Sequence, residues 1–239
     1  LQGCTEVVHM AAQTGKARPA QFERVNVEGT RHVLEAARAA GVKRFLFVSS
    51  IAATYPELTH YPYGRSKRDA EQLVRESGLE WAIVRPTIVL SRRAAIWHSL
   101  HGAAGLPLTP VFGGGRARIQ PIHAEDLAEC MATWIDEPQF TREAYDLGGP
   151  EALTFGDFLG RLRARKKRSP GALLPLPGKS AIAALALLEK FAFPLLPLTA
   201  GQLYAFVHDS TVKPNALLER HAAKMKNIEQ MLDDLLKYD

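Results

Sequence analysis

The chain has 239 residues, 46% of them apolar and 23% charged, with a formal charge of +5. This composition is too apolar and too balanced in charge for a disordered chain, and the length suits one domain or slightly more. Two cysteines, Cys4 and Cys130, allow at most one disulfide, and no secretory leader is recognisable. We therefore expect a folded protein of the reducing cytoplasm and not a disulfide-stapled secreted scaffold.

The positive charge is concentrated in one place. Six of the eight residues at 161–168 are basic, which is more than the whole net charge, so the remainder of the chain is slightly acidic. A local run is weak support for nucleic-acid binding, and we expect no nucleic-acid partner. The run is typical of a solvated helix end, with a substrate diphosphate or an anionic lipid surface as the functional alternatives, and the second would mean a peripheral membrane contact.

A membrane-spanning helix is not predicted. The most apolar stretch, 180–208, contains Glu189, Lys190, Pro194 and Pro197, whereas a span needs about 20 uninterrupted apolar residues. A lipid-facing or lid-like surface helix in this stretch stays open.

The first half of the chain alternates between strand and helix patterns. The run 7–12 resembles a buried strand with no preceding partner, and 25–40 has helical spacing, with Asn26 as a plausible N-cap and Gly41 as the stop. The continuous apolar run 45–48 is typical of a central parallel strand. A second helix is predicted at about 63–77, and a buried strand at 81–84 that breaks at Pro86. The pattern predicts an α/β parallel sheet.

The second half is less regular. Glycines and prolines at 91–118 predict loops, the region where a substrate-covering insertion would lie. A short strand at 119–122, a helix at 124–136, a strand at 144–147 and a helix at 154–165 should follow. The stretch 171–197 is rich in Leu, Ala and Pro and favours a packing lid, and 217–235 predicts one more helix.

One constellation suggests chemistry. Ser50 follows a predicted buried strand, and Tyr63 and Lys67 are four residues apart, so they share one face of the next helix. A free phenol has a pKa near 10, and a neighbouring ammonium favours its ionised form. Ser50 at the carboxyl end of a strand could hydrogen-bond a substrate oxygen. A Ser50/Lys67 hydrolytic dyad is disfavoured because no G-x-S-x-G sequence surrounds the serine.

With its flanking segments, the chain resembles the extended short-chain dehydrogenase/reductase family, which includes NAD-dependent epimerases and dehydratases. The segments follow family order over about the first 160 residues. They are Val8-His9-Met10-Ala11-Ala12, Val25-Asn26-Val27-Glu28-Gly29-Thr30, Val42-Lys43-Arg44-Phe45 leading to Ser49-Ser50, the Tyr63/Lys67 helix, Val84-Arg85-Pro86-Thr87, and Ile122-His123-Ala124-Glu125-Asp126-Leu127-Ala128.

The resemblance implies a role for each matching residue. Tyr63 is expected to be the catalytic acid/base, Lys67 to lower its pKa and bind the nicotinamide ribose, and Ser50 to polarise the substrate. Ala11, Ala12, Pro86 and Thr87 are expected to line an NAD or NADP cofactor, together with Tyr63 and Lys67. Asn26 and Asp126 are expected to be structural.

The resemblance also implies a fold and an organisation. We expect a Rossmann-like, doubly wound parallel sheet that lacks its first βαβ units, because no G-x-G-x-x-G sequence is present to receive the pyrophosphate. Residues 1–150 would form the partial dinucleotide-binding domain, with the insertion at about 91–118, and 151–239 a mostly helical substrate or lid region. Without its first strands, this chain alone should not hold a dinucleotide.

The sequence is compatible with two functions. The first is an NAD(P)-dependent oxidoreductase or sugar-nucleotide epimerase/dehydratase acting on a small molecule, although only 12 residues separate Ser50 from Tyr63, a short loop for a nucleotide-sugar substrate. The second is a nucleotide-binding structural or assembly protein without turnover. It is suggested by segments 78–87, 198–203 and 209–212, which resemble the NADPH-binding accessory subunit of respiratory complex I. A homodimer is compatible with either function.

Other polar features are predicted to be structural. His9 and His123 lie in apolar surroundings and are expected to be satisfied histidines, since no paired metal-ligand spacing occurs, and no metal site is predicted. The glycines at 113–115 lack the strand-before, helix-after setting of a phosphate loop and are expected to form a flexible loop.

Overall fold

The main sheet of the protein has four parallel strands. The computed structural model describes residues 1–136, 140–167 and 172–237. In their order across the sheet, the four strands are β1 (Glu6–His9), β2 (Arg44–Val48), β3 (Glu80–Pro86) and β8 (Ala144–Leu147). Register places His9 beside Phe47, and Phe47 beside Ile83. Parallel neighbours of this kind require crossover connections, which the helices supply.

Short strand pairs accompany the main sheet. They are β4 (Val89–Leu90) with β7 (Ile122–His123), β5 (Leu108–Phe112) with β10 (Ala172–Leu176), and β6 (Arg118–Ile119) with β9 (Leu153–Thr154). The first two pairs are parallel and the third is antiparallel.

Ten α-helical segments lie in the described residues. They are α1 (Pro19–Phe22), α2 (Gly29–Ala39), α3 (Pro62–Arg75), α4 (Ala95–Ala104), α5 (Ala124–Ile135), α6 (Phe155–Lys167), α7 (Gly178–Ala192), α8 (Ala200–Val207), α9 (Ala216–His221) and α10 (Ile228–Leu236). A π-type stretch, Glu23–Glu28, joins α1 to α2. Within these residues, none of the helices is both long enough and apolar enough to cross a bilayer.

The central strands are covered on both faces. Phe45, Phe47 and Ile83 pack under α2 and α3, whereas the alternate residues Leu46 and Val84 pack under α5. Because both faces are buried, the strands are apolar without alternation. The doubly wound parallel sheet expected from the sequence is confirmed.

The remaining elements form two further clusters. One joins α4, α6 and α10 around Phe158, Leu162 and Leu232. The other joins α7 and α8 to the turn and helix that follow β2, around Tyr55, Ile182 and Leu203. The division of the chain at residue 150 stays a prediction, and residues on both sides of it contribute to each cluster.

Several predicted boundaries were wrong. The helix expected at 25–40 begins at Pro19, so Asn26 lies inside a helical stretch and is not its N-cap. The region 91–118 contains α4 and β5 besides its loops. The single helix expected at 217–235 is two, α9 and α10, because Asn227 caps a new helix through the backbone N–H of Gln230.

The first strand is less buried than expected. Val8 is 37% exposed and His9 is the buried residue of β1, which forms an edge of the described sheet. The strand expected at 119–122 is likewise two short strands, β6 and β7, which pair with different partners.

Candidate active site

Three neighbouring strands end at the same edge of the sheet and bring most predicted site residues together. Ala11 and Ala12 follow β1, Ser50 follows β2, and Pro86 and Thr87 are at the end of β3. The carboxyl edge of an open α/β sheet is where ligands usually bind. The structure therefore places these segments beside one another, as their order in the sequence indicates.

Ser50 and Tyr63 meet at this edge. Ser50 is in extended conformation, and its Oγ accepts a hydrogen bond from the backbone N–H of Ala52 at 3.2 Å, which starts a tight turn leading towards α3. Tyr63 is in the first turn of α3, with its phenol near the Ser50 hydroxyl. Burial raises the pKa of Tyr63, while the polar influence of Ser50 acts in the opposite direction and is smaller.

Lys67 is buried one turn further along α3. The residue is 2% exposed, its Nζ donates to the carbonyl of Val48 at 2.7 Å, and it lies 4.3 Å from the centre of the Phe47 ring. Burial lowers the pKa of Lys67 to about 8, against an opposing influence from Glu71. An ammonium has three N–H donors, so these contacts leave donor capacity for a ligand.

The electrostatic relation predicted between the two residues is not found. The sequence led us to expect that Lys67 depresses the pKa of Tyr63, but in this structure the phenol pKa is raised because burial dominates. Tyr63 is accordingly protonated at neutral pH. As it stands, the phenol is suited to donate a proton to a substrate oxygen.

A buried acidic network lies under Lys67 and was missed in the sequence. Glu71 is 4% exposed and accepts hydrogen bonds from Ser49 Oγ at 2.6 Å and from Arg85 at 2.6 and 2.8 Å, with Arg75 at 3.2 Å. Burial raises the pKa of Glu71, but these donors outweigh it and the net pKa is lowered. The network fixes α3 against the ends of β2 and β3. The available signal was the spacing of Lys67 and Glu71, four residues apart on one helix face.

Asn26 has a structural role, as the family resemblance of the chain implied. Its side chain accepts from the backbone N–H of Gln13 at 2.7 Å, and donates to the carbonyl of Gln13 at 3.1 Å and to Ser66 Oγ at 2.9 Å. Ser66 in turn donates to the carbonyl of Tyr63 at 2.8 Å. Asn26 therefore ties the loop after β1 to the first turn of α3.

The segments expected to line a cofactor differ in exposure. Ala11 is exposed and Ala12 half-buried, so the backbone after β1 is open to a ligand. Pro86 and Thr87 are buried; the N–H of Thr87 donates to Leu147 at 2.9 Å and its hydroxyl donates to the carbonyl of Gln120. Thr87 thus supports the wall of the site through its backbone position, and its hydroxyl is already used within the protein.

The residues present fit the nicotinamide end of a dinucleotide better than the pyrophosphate end. A protonated phenol, a serine hydroxyl and an ammonium with spare donors converge on one strand-end edge. The sequence contains no G-x-G-x-x-G pattern that would receive the pyrophosphate.

His9 is a satisfied histidine. Its Nε2 is 3.0 Å from Thr30 Oγ1, and its ring stacks on Phe47 with centres 5.7 Å apart. Burial, with a smaller contribution from Lys67, lowers the pKa of His9 to about 4, so it is neutral beside the ammonium.

His123 joins two distant parts of the chain. Its Nε2 is 3.2 Å from Asp234 on α10, and its Nδ1 is 3.7 Å from Glu125. These three residues could hold a metal ion by geometry. However, Lys226 Nζ lies 2.6 Å from Glu125 and 3.3 Å from Nδ1, and its positive charge disfavours a cation there. Asp126 accepts from the backbone N–H of Lys226 at 3.0 Å, a structural role.

Most side chains of the basic run at 161–168 have partners within the protein. Arg161 and Arg165 pair with Glu229, Arg165 also pairs with Asp233, and Lys166 donates to the carbonyl of His101 at 3.0 Å. Arg163 is buried and donates to the carbonyls of 104, 106 and 107. The expectation of a solvated helix end is wrong for Arg163, which is buried. Arg161 and Lys167 are exposed as expected, and Arg165 and Lys166 are partly exposed although they have partners within the protein; Arg168 lies outside the described residues.

The glycines at 113–115 serve packing. All three have positive φ, between 61° and 68°. A Cβ on Gly115 would come within 2.7 Å of Val111 and 2.9 Å of the Gly156 backbone. A close approach of two chain segments therefore requires glycine here.

Sequence and structure together define the class of this protein. The model of the NAD dependent epimerase/dehydratase family matches residues 1–148, so the chain belongs to that family. The chain is 37% identical over 139 residues to ceramide reductase of Caulobacter vibrioides, covering 57% of this chain and 42% of the reductase. It is 25% identical over 156 residues to the mitochondrial NADH dehydrogenase [ubiquinone] 1 alpha subcomplex subunit 9 of Dictyostelium discoideum, covering 64% of this chain and 42% of that protein.

Solved structures show the same fold. The structure of DesIV, a dTDP-glucose 4,6-dehydratase of Streptomyces venezuelae with NAD and TYD bound, superposes with a TM-score of 0.72 at 18% identity, over 99% of this chain and 74% of that one. The chain spans less than half the length of the two relatives described above. The fold is the Rossmann-like fold of this family.

Proposed function

We propose that the full-length protein is an NAD(P)-dependent oxidoreductase of the short-chain dehydrogenase type that reduces a carbonyl group. The observation that carries the proposal is the convergence of Ser50, Tyr63 and the buried Lys67 at the edge where three parallel strands end. Membership of the NAD dependent epimerase/dehydratase family supports it.

A bound nicotinamide coenzyme would supply the hydride, with Lys67 and Tyr63 holding its ribose and the backbone at 11–12 and 86–87 beside it. The Ser50 hydroxyl would hydrogen-bond the substrate oxygen and orient it towards the phenol. Tyr63 would donate its proton to that oxygen as the carbon receives the hydride, so the carbonyl becomes an alcohol. The Lys67 ammonium would donate to the ribose of the coenzyme, for which it has N–H donors to spare.

The protonated phenol of Tyr63 can donate a proton to a carbonyl oxygen, which is the step that a reductase needs. An epimerase or dehydratase that begins by oxidising an alcohol would need the same group as a phenolate. A small-molecule carbonyl is therefore the proposed substrate. A nucleotide sugar, as bound by the structural neighbour, is the second substrate class to test.

The test is oxidation of NADH and NADPH by the full-length protein with a panel of ketones and 4-keto nucleotide sugars. We expect turnover that declines above about pH 8, where Lys67 loses its proton. Ser50→Ala should lower kcat with little change in coenzyme Kd, and Ser50→Thr should restore part of kcat. Ser99→Ala, on the exposed side of α4, is the matched control. Unchanged kcat in Ser50→Ala would refute the role of Ser50.

A second candidate is a nucleotide-binding structural protein without turnover. It is favoured by the Lys67 ammonium, which is directed to the carbonyl of Val48, and by the similarity to the respiratory-chain subunit. This function predicts coenzyme binding with no oxidation of NADH or NADPH by any substrate of the panel.

A further inference from the structure

The outer face of α7 is apolar and exposed. The inner side of this helix packs through Ile182 and its neighbours onto the cluster that includes Tyr63. The opposite side and the turn after it present Leu187, Leu188, Phe191 and Leu195, which are 58%, 48%, 83% and 85% exposed. We call these four residues the outer face. A patch of large apolar side chains in such a position marks an interaction surface.

The exposed charged side chains of residues 178–200 are all positive. Between 178 and 200 the titratable residues are Lys179, Glu189 and Lys190. Both lysines are exposed, whereas Glu189 is half-buried and its carboxylate accepts from the backbone N–H of Ala200 at the start of α8. The single acid is therefore used inside the fold, at the positive end of a helix.

Two more cations come from the loop after β1. Lys16 Nζ donates to the carbonyls of Pro194 and Leu196 at 3.1 and 2.6 Å, and the Arg18 guanidinium lies 4.9 Å from the centre of the Phe193 ring. These partners carry no formal charge. Among the described residues, the contacts of Lys16 and Arg18 leave both positive charges uncompensated, and they lie beside the outer face.

We propose that the outer face, with its rim of Lys16, Arg18 and Lys190, binds an anionic membrane surface. Exposed Leu and Phe side chains would enter the interfacial layer of the bilayer, and the surrounding cations would contact lipid phosphates. A second copy of this chain fits less well, because a two-fold symmetric interface through this face would set the same cationic rims against each other.

Docking in this way would bring the candidate site close to the bilayer. The inner side of α7 packs on the cluster that includes Tyr63, so one helix, about 10 Å in diameter, separates the outer face from that cluster. The basic run at 161–168 is not part of this surface, since Arg161, Arg163, Arg165 and Lys166 have partners within the protein.

The test is co-sedimentation of the full chain with phosphatidylcholine vesicles, with and without phosphatidylglycerol. Binding is expected to the vesicles that contain phosphatidylglycerol, and it should weaken as salt is raised. The double variant Phe191→Ser/Leu195→Ser should bind the vesicles at least about tenfold more weakly, because its apolar anchors are lost. Arg18→Gln/Lys190→Gln should lower binding to the anionic vesicles.

Ile135→Ser, at a position on α5 that is 39% exposed, is the control for removing a surface apolar residue and should bind normally. Circular dichroism would show that each variant is folded. Absence of binding to both vesicles, or undiminished binding of the double variant, would overturn the proposal. A wild-type dimer in sedimentation velocity that ignores vesicles and dissociates in Phe191→Ser/Leu195→Ser would instead make this face a subunit interface and overturn it too.

Discussion

Replacing Lys67 with methionine should change how the free energy of unfolding depends on pH. Burial lowers the pKa of Lys67 to about 8 in the folded protein, whereas an unfolded lysine has a pKa of about 10.4. The folded state therefore binds this proton more weakly than the unfolded state. Below about pH 8 the protonated Lys67 therefore destabilises the folded protein by the full amount. This destabilisation disappears as the pH rises towards the pKa of lysine in the unfolded protein.

The magnitude follows from the two pKa values. One pKa unit corresponds to about 1.4 kcal/mol, so the cost is about 3 kcal/mol at about pH 7 and falls by about 2 kcal/mol by about pH 9.5. Methionine has no proton to bind, and the carbonyl of Val48 that it leaves without a donor adds an offset that does not vary with pH. Between about pH 7 and about pH 9.5, the free energy of unfolding of the wild type should thus rise by about 2 kcal/mol relative to that of Lys67→Met.

The assay is urea denaturation of both proteins at the two pH values. Lys43→Met, at an exposed position before β2, is the matched control for the same substitution outside the site. If the difference in unfolding free energy between wild type and Lys67→Met is the same at both pH values, the buried cation that we describe is refuted.

Two further changes test the elements that hold the site. Glu71→Ala should lower the free energy of unfolding by about 2–3 kcal/mol, because Ser49 and Arg85 lose a buried acceptor while Arg85 keeps Asp146 at 3.4 Å; urea denaturation measures it, and a loss below about 1 kcal/mol would contradict the network. Since the folded pKa of Glu71 is lowered, its stabilisation should be present above about pH 4.3 and lost as the pH falls through the folded value. Gly64→Ala would place a Cβ 2.9 Å from the carbonyl of Ala52, so it should cost about 1–3 kcal/mol and reduce kcat by displacing Tyr63; a wild-type melting temperature and kcat would contradict this.

The central sheet and its helices could be predicted because their signals are local. The apolar run at 45–48 and the breaks at Gly41 and Gly78 specify buried strands and helix ends within a few residues. The spacing of Tyr63 and Lys67 likewise placed both on α3.

What could not be predicted depends on contacts between distant residues. Arg165 is paired with acids more than 60 positions away, so its sequence neighbourhood gave no sign that the charge is compensated. The direction of the Lys67 ammonium towards Val48, and the dominance of burial in the pKa of Tyr63, depend on how β2 and α3 pack. Helix α4 was not predicted, because the glycines and prolines around it indicated a loop.

Tyr63 as the proton donor is the central feature of the proposed reaction, and single-turnover hydride transfer tests it most directly. In the full-length protein preloaded with NADH or NADPH, Tyr63→Phe should slow reduction of the carbonyl by about 10²–10⁴-fold while coenzyme Kd stays nearly unchanged. Tyr61→Phe, which alters the neighbouring ring of the same aromatic cluster, should stay within a few-fold of wild type. A Tyr63→Phe rate equal to that of the wild type would contradict the proposed chemistry.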